Sequence, residues 1–323
     1  MTAYGRLAGR VDRLQRRYGV LGFPYAVARK FADDGGGREA ALITYYGFLS
    51  IFPVLLIGVA LVSRVLVERP EVRHRLVTAI VPPSLRATVE SAAAALPASS
   101  AGLAIGLVGL LFSAAGVVFS AYCTLNHLAA VPFRARAGAA RRYLRMLLVL
   151  LLLVAGAVAV GGLTVAATAI PGLPGVSRAV AVLGSGLVVL VVLLVAARLL
   201  LTCPAPVGAL WPAAVPGAVA VTVVLHVGAA VLPGLVRRAG ALYGGFATVA
   251  GMFTMLYVLS LALVCSAEIA AVRRARLWPR AIDRSRPTAA DARALALLAR
   301  EQERTPVDRV ASWQLPPGGS ARG

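Results

Sequence analysis

Charge is scarce in this sequence. Charged residues make up 14% of it, where a soluble globular domain carries roughly a quarter. Hydrophobic residues fill 59% of the 323 positions, and mean hydropathy is +0.81. A water-soluble fold of this length has no way to hide so much apolar surface, so lipid is its natural solvent. Cysteine is scarcer still. Cys123, Cys203 and Cys265 lie within or at the ends of apolar runs, with no Cys-x-x-Cys or Cys/His ligand spacing. Neither a disulfide framework nor a metal site is expected, and no cofactor is implied. The first 38 residues lack a short apolar stretch ending in small residues, so no cleavable signal peptide is expected. Gly35-Gly36-Gly37 is followed by no Gly-Lys-Ser/Thr, which excludes a phosphate loop.

What the chain does have is positive charge. Lys and Arg number 33 against 13 Asp and Glu, for a net charge of +20. In a soluble protein such a balance points to nucleic acid. Here the basic residues sit between and beside the apolar runs, which points to membrane topology and anionic lipid headgroups instead. The expected partners are therefore membrane lipids and a second copy of the chain, with no nucleic acid.

Six apolar stretches, residues 39–65, 101–128, 143–169, 176–201, 207–232 and 246–272, each reach the roughly 20 residues that cross a bilayer core as a helix. Backbone groups in lipid must be satisfied within the segment, so the expected fold is all-α: a polytopic bundle of about six transmembrane helices. Three parts follow: a basic cytoplasmic lead-in over 1–38, the membrane domain over 39–272, and a basic, partly disordered tail over 273–323. Val11, Leu14, Tyr18 and Leu21 recur at helical spacing among Arg10, Arg13, Arg16 and Arg17. That pattern suits an amphipathic helix lying on the membrane, or equally a solvated basic tail. Short helices on the membrane face are expected over 68–100, a further helix over 288–303, and disorder at Pro316-Pro317-Gly318-Gly319. Alternate loops divide the basic residues 25 against 8, and the heavier side should be cytoplasmic. Both termini then lie inside.

The first span reads Leu42-Ile43-Thr44-Tyr45-Tyr46-Gly47-Phe48-Leu49-Ser50-Ile51-Phe52-Pro53. Tyr46, Ser50 and Pro53 share one helix face. Two readings stand side by side: tyrosine anchors at the headgroup level, or a polar face turned to a cavity, with Ser or Tyr hydroxyls covering the carbonyl that Pro53 frees. Glu268 is the carboxylate set well inside an apolar run, where a charge costs at least about 2.5 kcal/mol at mid-bilayer. It lies four residues before Val272, roughly 6 Å along the axis, and so near the interface. It is read either as an ion pair with Arg273, Arg274 or a neighbouring helix, or as part of a substrate or proton path. Tyr45, Tyr46, Asn126 and Glu268 fall at one depth. With Ser50 and Pro53 they form a candidate cavity cluster, ringed by Arg134, Arg141 and Arg273 as headgroup-binding residues. His127 and His226 read as packing residues.

The first span resembles the YihY/BrkB family of bacterial inner-membrane proteins. Leu42, Tyr45, Tyr46, Leu49, Ser50, Phe52 and Pro53 stand where that family carries its pattern. Leu125-Asn126, Pro216-Gly217-Ala218, Tyr243-Gly244 and Ser266-Ala267-Glu268 are similar to later family positions. Ala270 departs from the asparagine often found there. The resemblance implies a multi-pass protein of the cytoplasmic membrane. A membrane domain with almost no extramembrane mass, kinked helices and a cytoplasmic-side polar cluster suits transport or lipid handling, with an envelope integrity or assembly factor as the alternative. The family has also carried a ribonuclease label. No carboxylate cluster for two metals supports it here, so no enzyme is expected.

Overall fold

A computed structural model describes residues 12, 13, 15, 19–66, 100–168, 174–203, 206–283, 286–305 and 307. Among them are eight α-helices and no strand: α1 (Gly19–Asp33), α2 (Gly36–Leu66), α3 (Ser100–Leu128), α4 (Ala139–Thr168), α5 (Pro174–Leu200), α6 (Val207–Tyr243), α7 (Gly245–Ala275) and α8 (Ala289–Glu301), with a 3-10 turn at Phe133–Ala135. The all-helical class holds. Each expected span falls on one of the helices α2 to α7. Among the described residues four segments are long and apolar enough to cross a membrane: Ala139–Leu163, Ala179–Leu200, Val207–Gly234 and Gly245–Ala275. Helices α2 and α3 run 31 and 29 residues. Val11, Leu14, Tyr18, residues 68–99 of the expected 68–100 connection and the 316–319 end lie outside the described residues.

Many large apolar side chains point outward, among them Phe112 at 75%, Leu183 at 74% and Val158 at 70% exposure. Such surface is stable only against lipid. The chain divides into two compact units, the first comprising 1–40, 121–222 and 261–323, the second 41–120 and 223–260.

In the second unit, α2 and α3 meet through glycine. A Cβ on Gly116 would come within 2.3 Å of Tyr46 Cδ1, and one on Gly109 within 3.3 Å of Pro53 Cγ. Tyr46 and Pro53 are two turns apart, as are Gly109 and Gly116, in opposite chain order, so the helices run antiparallel. Small residues let the two backbones approach while the ring and the proline fill the groove. Helix α7 joins by Phe48 against Phe253, ring centroids 5.6 Å apart, and by Thr44, whose hydroxyl donates to Ser260 Oγ at 3.0 Å.

In the first unit, α1, the end of α7 and α8 enclose a small core of Ala26, Val272, Leu277 and Ala294, flanked by Phe23 and Trp278. Helix α8 starts with a capping box: the Asp291 N–H donates to Thr288 Oγ1, while the Asp291 carboxylate accepts from the Thr288 N–H. The turn between α1 and α2 falls at Asp34-Gly35, where Gly35 takes a φ of 67° that side chains other than glycine resist.

Candidate functional site

The first unit gathers the carboxyl ends of α3, α5 and α7. Helix C-termini leave carbonyls unsatisfied and carry partial negative charge. Each of these three ends is met by a side chain from elsewhere. Asn126, fully buried, donates through Nδ2 to the Leu200 carbonyl at 2.9 Å and accepts from the Thr202 N–H at 3.0 Å, tying the end of α5 to α3. Arg145 adds a bond to the Leu201 carbonyl at 3.3 Å, and Arg293 one to the Arg276 carbonyl at 2.6 Å. Lys30 donates to the Leu128 carbonyl at 3.0 Å.

Helices α3 and α7 close in the same way. Val131 N–H reaches the Asn126 carbonyl and Ala130 N–H the His127 carbonyl. Leu277 N–H reaches Val272 and Arg276 N–H reaches Arg273. The residues in the left-handed conformation are Ala130 (φ 50°) and Arg276 (φ 49°), where glycine is usual. Leu277 packs on Val272, the apolar contact that accompanies such an ending.

Ionic groups concentrate at these ends. Lys30 is 7% exposed, Asp34 4% and Glu268 0%. The Lys30 ammonium is bonded to Asp34 and lies 3.1 Å from Glu268 Oε2. His127 Nδ1 stands 2.9 Å from both carboxylate oxygens of Glu301, and its Nε2 3.2 Å from the Asp34 carbonyl. Both ring nitrogens thus face acceptors, an arrangement that a doubly protonated ring satisfies. Arg136 reaches Glu301 at 2.8 Å, and Arg134 reaches Glu303 at 2.8 Å. Arg280 bridges Asp33 of α1 and Asp291 of α8, at 2.8 and 2.6 Å. Thr124 donates to Glu39 at 2.7 Å. Burial pushes the Asp291 carboxyl up, but hydrogen bonds from the Thr288 backbone and hydroxyl, the Ala281 N–H and Arg280 outweigh it and leave it below the usual carboxylate range.

The candidate residues divide between the units. Asn126, Glu268, Arg134, Arg141 and Arg273 belong to the first; Tyr45, Tyr46, Ser50 and Pro53 belong to the second. Tyr45 is 54% exposed and lies edge-on to Tyr46, whose ring occupies the Gly116 groove. The Ser50 hydroxyl donates to the Gly47 carbonyl at 2.7 Å. Asn126 and Glu268 share no direct bond among the described residues. The partner of Glu268 is Lys30 on a neighbouring helix. Arg134 is engaged by Glu303, while Arg141 and Arg273 are exposed, with no ion pair among the described residues. Sequence reading missed Lys30, Asp34, Glu301 and Arg280. One signal for the first was available: 32 of the 33 basic residues are arginine, and Lys30 is the sole lysine.

No curated protein and no solved structure matches the chain. The family described as virulence factor BrkB matches residues 27–291, from α1 into the first turn of α8. With that match over most of its length and its outward-facing apolar helices, the chain is an integral membrane protein belonging to the virulence factor BrkB family.

Proposed function

We propose that the protein moves an anionic amphiphile, a phospholipid in the first instance, across or between the leaflets of the cytoplasmic membrane. In this reading it crosses six times, through helices α2 to α7, with both termini in the cytoplasm. The observation that carries it is the pair Arg141 and Arg273. They are exposed and unpaired among the described residues, at the start of α4 and near the end of α7. Bonds from Arg145 to Leu201, Asn126 to Leu200, and Lys30 to both Leu128 and Glu268 link those two helix ends to one side of the first unit. A basic surface at the interface beside a buried ionic network suits the capture of anionic headgroups. The reading includes no catalytic step and no nucleic acid. An apolar helix face also permits self-association.

Purified protein in vesicles containing phosphatidylglycerol, with a short-chain fluorescent analogue and a membrane-impermeant quencher, tests this. Protein-dependent transbilayer movement is expected, slowed several-fold by Arg141→Glu with Arg273→Glu. Movement at the rate of protein-free vesicles would overturn it. The second reading is an envelope integrity or assembly factor without a substrate. It is favoured by the engagement of Asn126 and Tyr46 in capping and packing.

A further inference from the structure

Among the described buried carboxylates, Glu268 differs in what surrounds it. Glu301 meets His127 and Arg136. Glu303 accepts from Arg134 Nε at 2.9 Å and also pairs with its Nη2. Asp291, only half-buried, receives Thr288, Ala281 and Arg280. Glu39 receives the Thr124 hydroxyl and lies 3.5 Å from Arg38. Glu268 has no exposed surface, Lys30 is its one ionic partner, and neither carboxylate oxygen receives a hydrogen bond among the described residues.

That partner is shared. The Lys30 ammonium also holds Asp34 and the Leu128 carbonyl. Two hydrogen-bond acceptors and the nearby Glu268 carboxylate around one compact cation suit an ammonium and not a planar guanidinium. This is the one place where an otherwise arginine-only chain uses lysine. One ammonium thus serves two buried carboxylates, and with both ionised the triad carries a surplus negative charge. From α1 the groups facing Glu268 are Lys30 and Asp34. From α3 comes His127, whose ring is turned to the Asp34 carbonyl and to Glu301 of α8. On α7 itself Cys265 lies one turn earlier and is exposed, and Arg273 is exposed beyond. Glu39, near the start of α2, is held by Thr124 and Arg38. His127 offsets the surplus only from a distance; none of these groups places a hydrogen-bond donor on Glu268. A buried carboxylate short of partners favours its neutral form.

We propose that Glu268 is a proton-binding site. An O–H bond forms on the carboxyl with a proton taken from cytoplasmic water, leaving Lys30 to Asp34. The same bond breaks, and the proton returns to water, when Lys30 turns to an ionised Glu268. Proton uptake coupled to substrate movement is the use this site has if the transport reading holds, and only that coupling rests on it.

Infrared difference spectroscopy during a pH titration, on protein in lipid nanodiscs, tests the site without any transported substrate. A C=O stretch from a neutral carboxyl group is expected, growing as pH falls. It is absent in Glu268→Gln, and in Asp34→Asn, which leaves Lys30 to Glu268 alone, it appears only at lower pH. Glutamine copies the protonated group, so Glu268→Gln should also keep the wild-type melting temperature near the acid end of the titration. Should that variant fail to fold, Glu268→Asp should shift the band instead of removing it. No pH-dependent band in the wild type, or a band that survives Glu268→Gln unchanged, overturns the proposal. A band that behaves as expected in a protein that moves no lipid refutes the transport reading alone.

Discussion

Replacing Asn126 with leucine keeps the side-chain volume and removes every polar atom. Asn126 has no exposed surface and makes two bonds that nothing else replaces: Nδ2 to the Leu200 carbonyl and Oδ1 from the Thr202 N–H. Its third bond, to the Tyr122 carbonyl at 2.8 Å, falls on a group that already has its helical partner. The Leu200 carbonyl is among the last of α5, where the helix offers no donor. Each buried group left unsatisfied costs about 1–3 kcal/mol. Two such groups therefore cost about 2–6 kcal/mol, somewhat less if water reaches the exposed side of the turn. In a chain of this size that corresponds to a fall in melting temperature of roughly 3–9 °C, read by tryptophan fluorescence in a mild detergent. Asn126→Asp retains the acceptor for Thr202 but sets a carboxylate against a carbonyl, and should fall at least as far. The reasoning fails if Asn126→Leu melts like the wild type. If it does so while losing lipid movement, Asn126 faces a substrate and does not cap α5.

Other consequences can be measured in the same way. Gly116→Ala drives a methyl group to 2.3 Å from the Tyr46 ring and should cost about 1–3 kcal/mol as overpacking; Tyr46→Ala in the same molecule should recover part of the loss, while Tyr46→Phe alone should be close to neutral. Ala130→Gly relieves a left-handed alanine worth about 1–2 kcal/mol, less about 0.5–1 kcal/mol of unfolded-chain entropy, and should raise the melting temperature slightly. The carboxyl of Asp291 is held below its ordinary range, so its contribution to docking α8 is present above the unfolded-state value and is lost as pH falls through the folded one. Protection from hydrogen exchange over 289–301, relative to the intrinsic rate at each pH, should therefore fall in acid, and Asp291→Asn should show the lower protection at neutral pH.

The helices were legible because apolar run length is a local property. Residues 39–65 became Gly36–Leu66, and 246–272 became Gly245–Ala275. The glycine-rich break after Asp34 appeared as the α1–α2 turn. Helix α6 runs on to Tyr243, past the expected stop at 232, carrying Arg237 and Arg238 within it. The shared face of Tyr46, Ser50 and Pro53 was also readable, since it needs only the helical period. What covers that face was not, because Gly109 and Gly116 acquire meaning only when α3 lies against α2. Ionic partners were hidden for the same reason. Lys30 and Glu268, or His127 and Glu301, are distant in sequence, and a charge in a basic segment reads as topology until its partner is seen.

That distinction bears on the lipid reading. The positive-inside rule weighs every arginine alike, but the structure divides them by occupation. Arg134 and Arg136 neutralise Glu303 and Glu301, Arg280 joins two aspartates, and Arg145 and Arg293 meet helix carbonyls. Those five hold α1, α4 and α8 to the ends of the membrane helices, and their loss should act first on folding. Arg141, Arg273 and Arg274 are exposed and have no such engagement among the described residues. Attraction to an anionic headgroup falls off within a Debye length, about 8 Å in physiological salt, so the weight of headgroup capture belongs to the unengaged set. Substitution there should change lipid affinity and its salt dependence while leaving the fold alone, which separates the two roles of positive charge that composition merges.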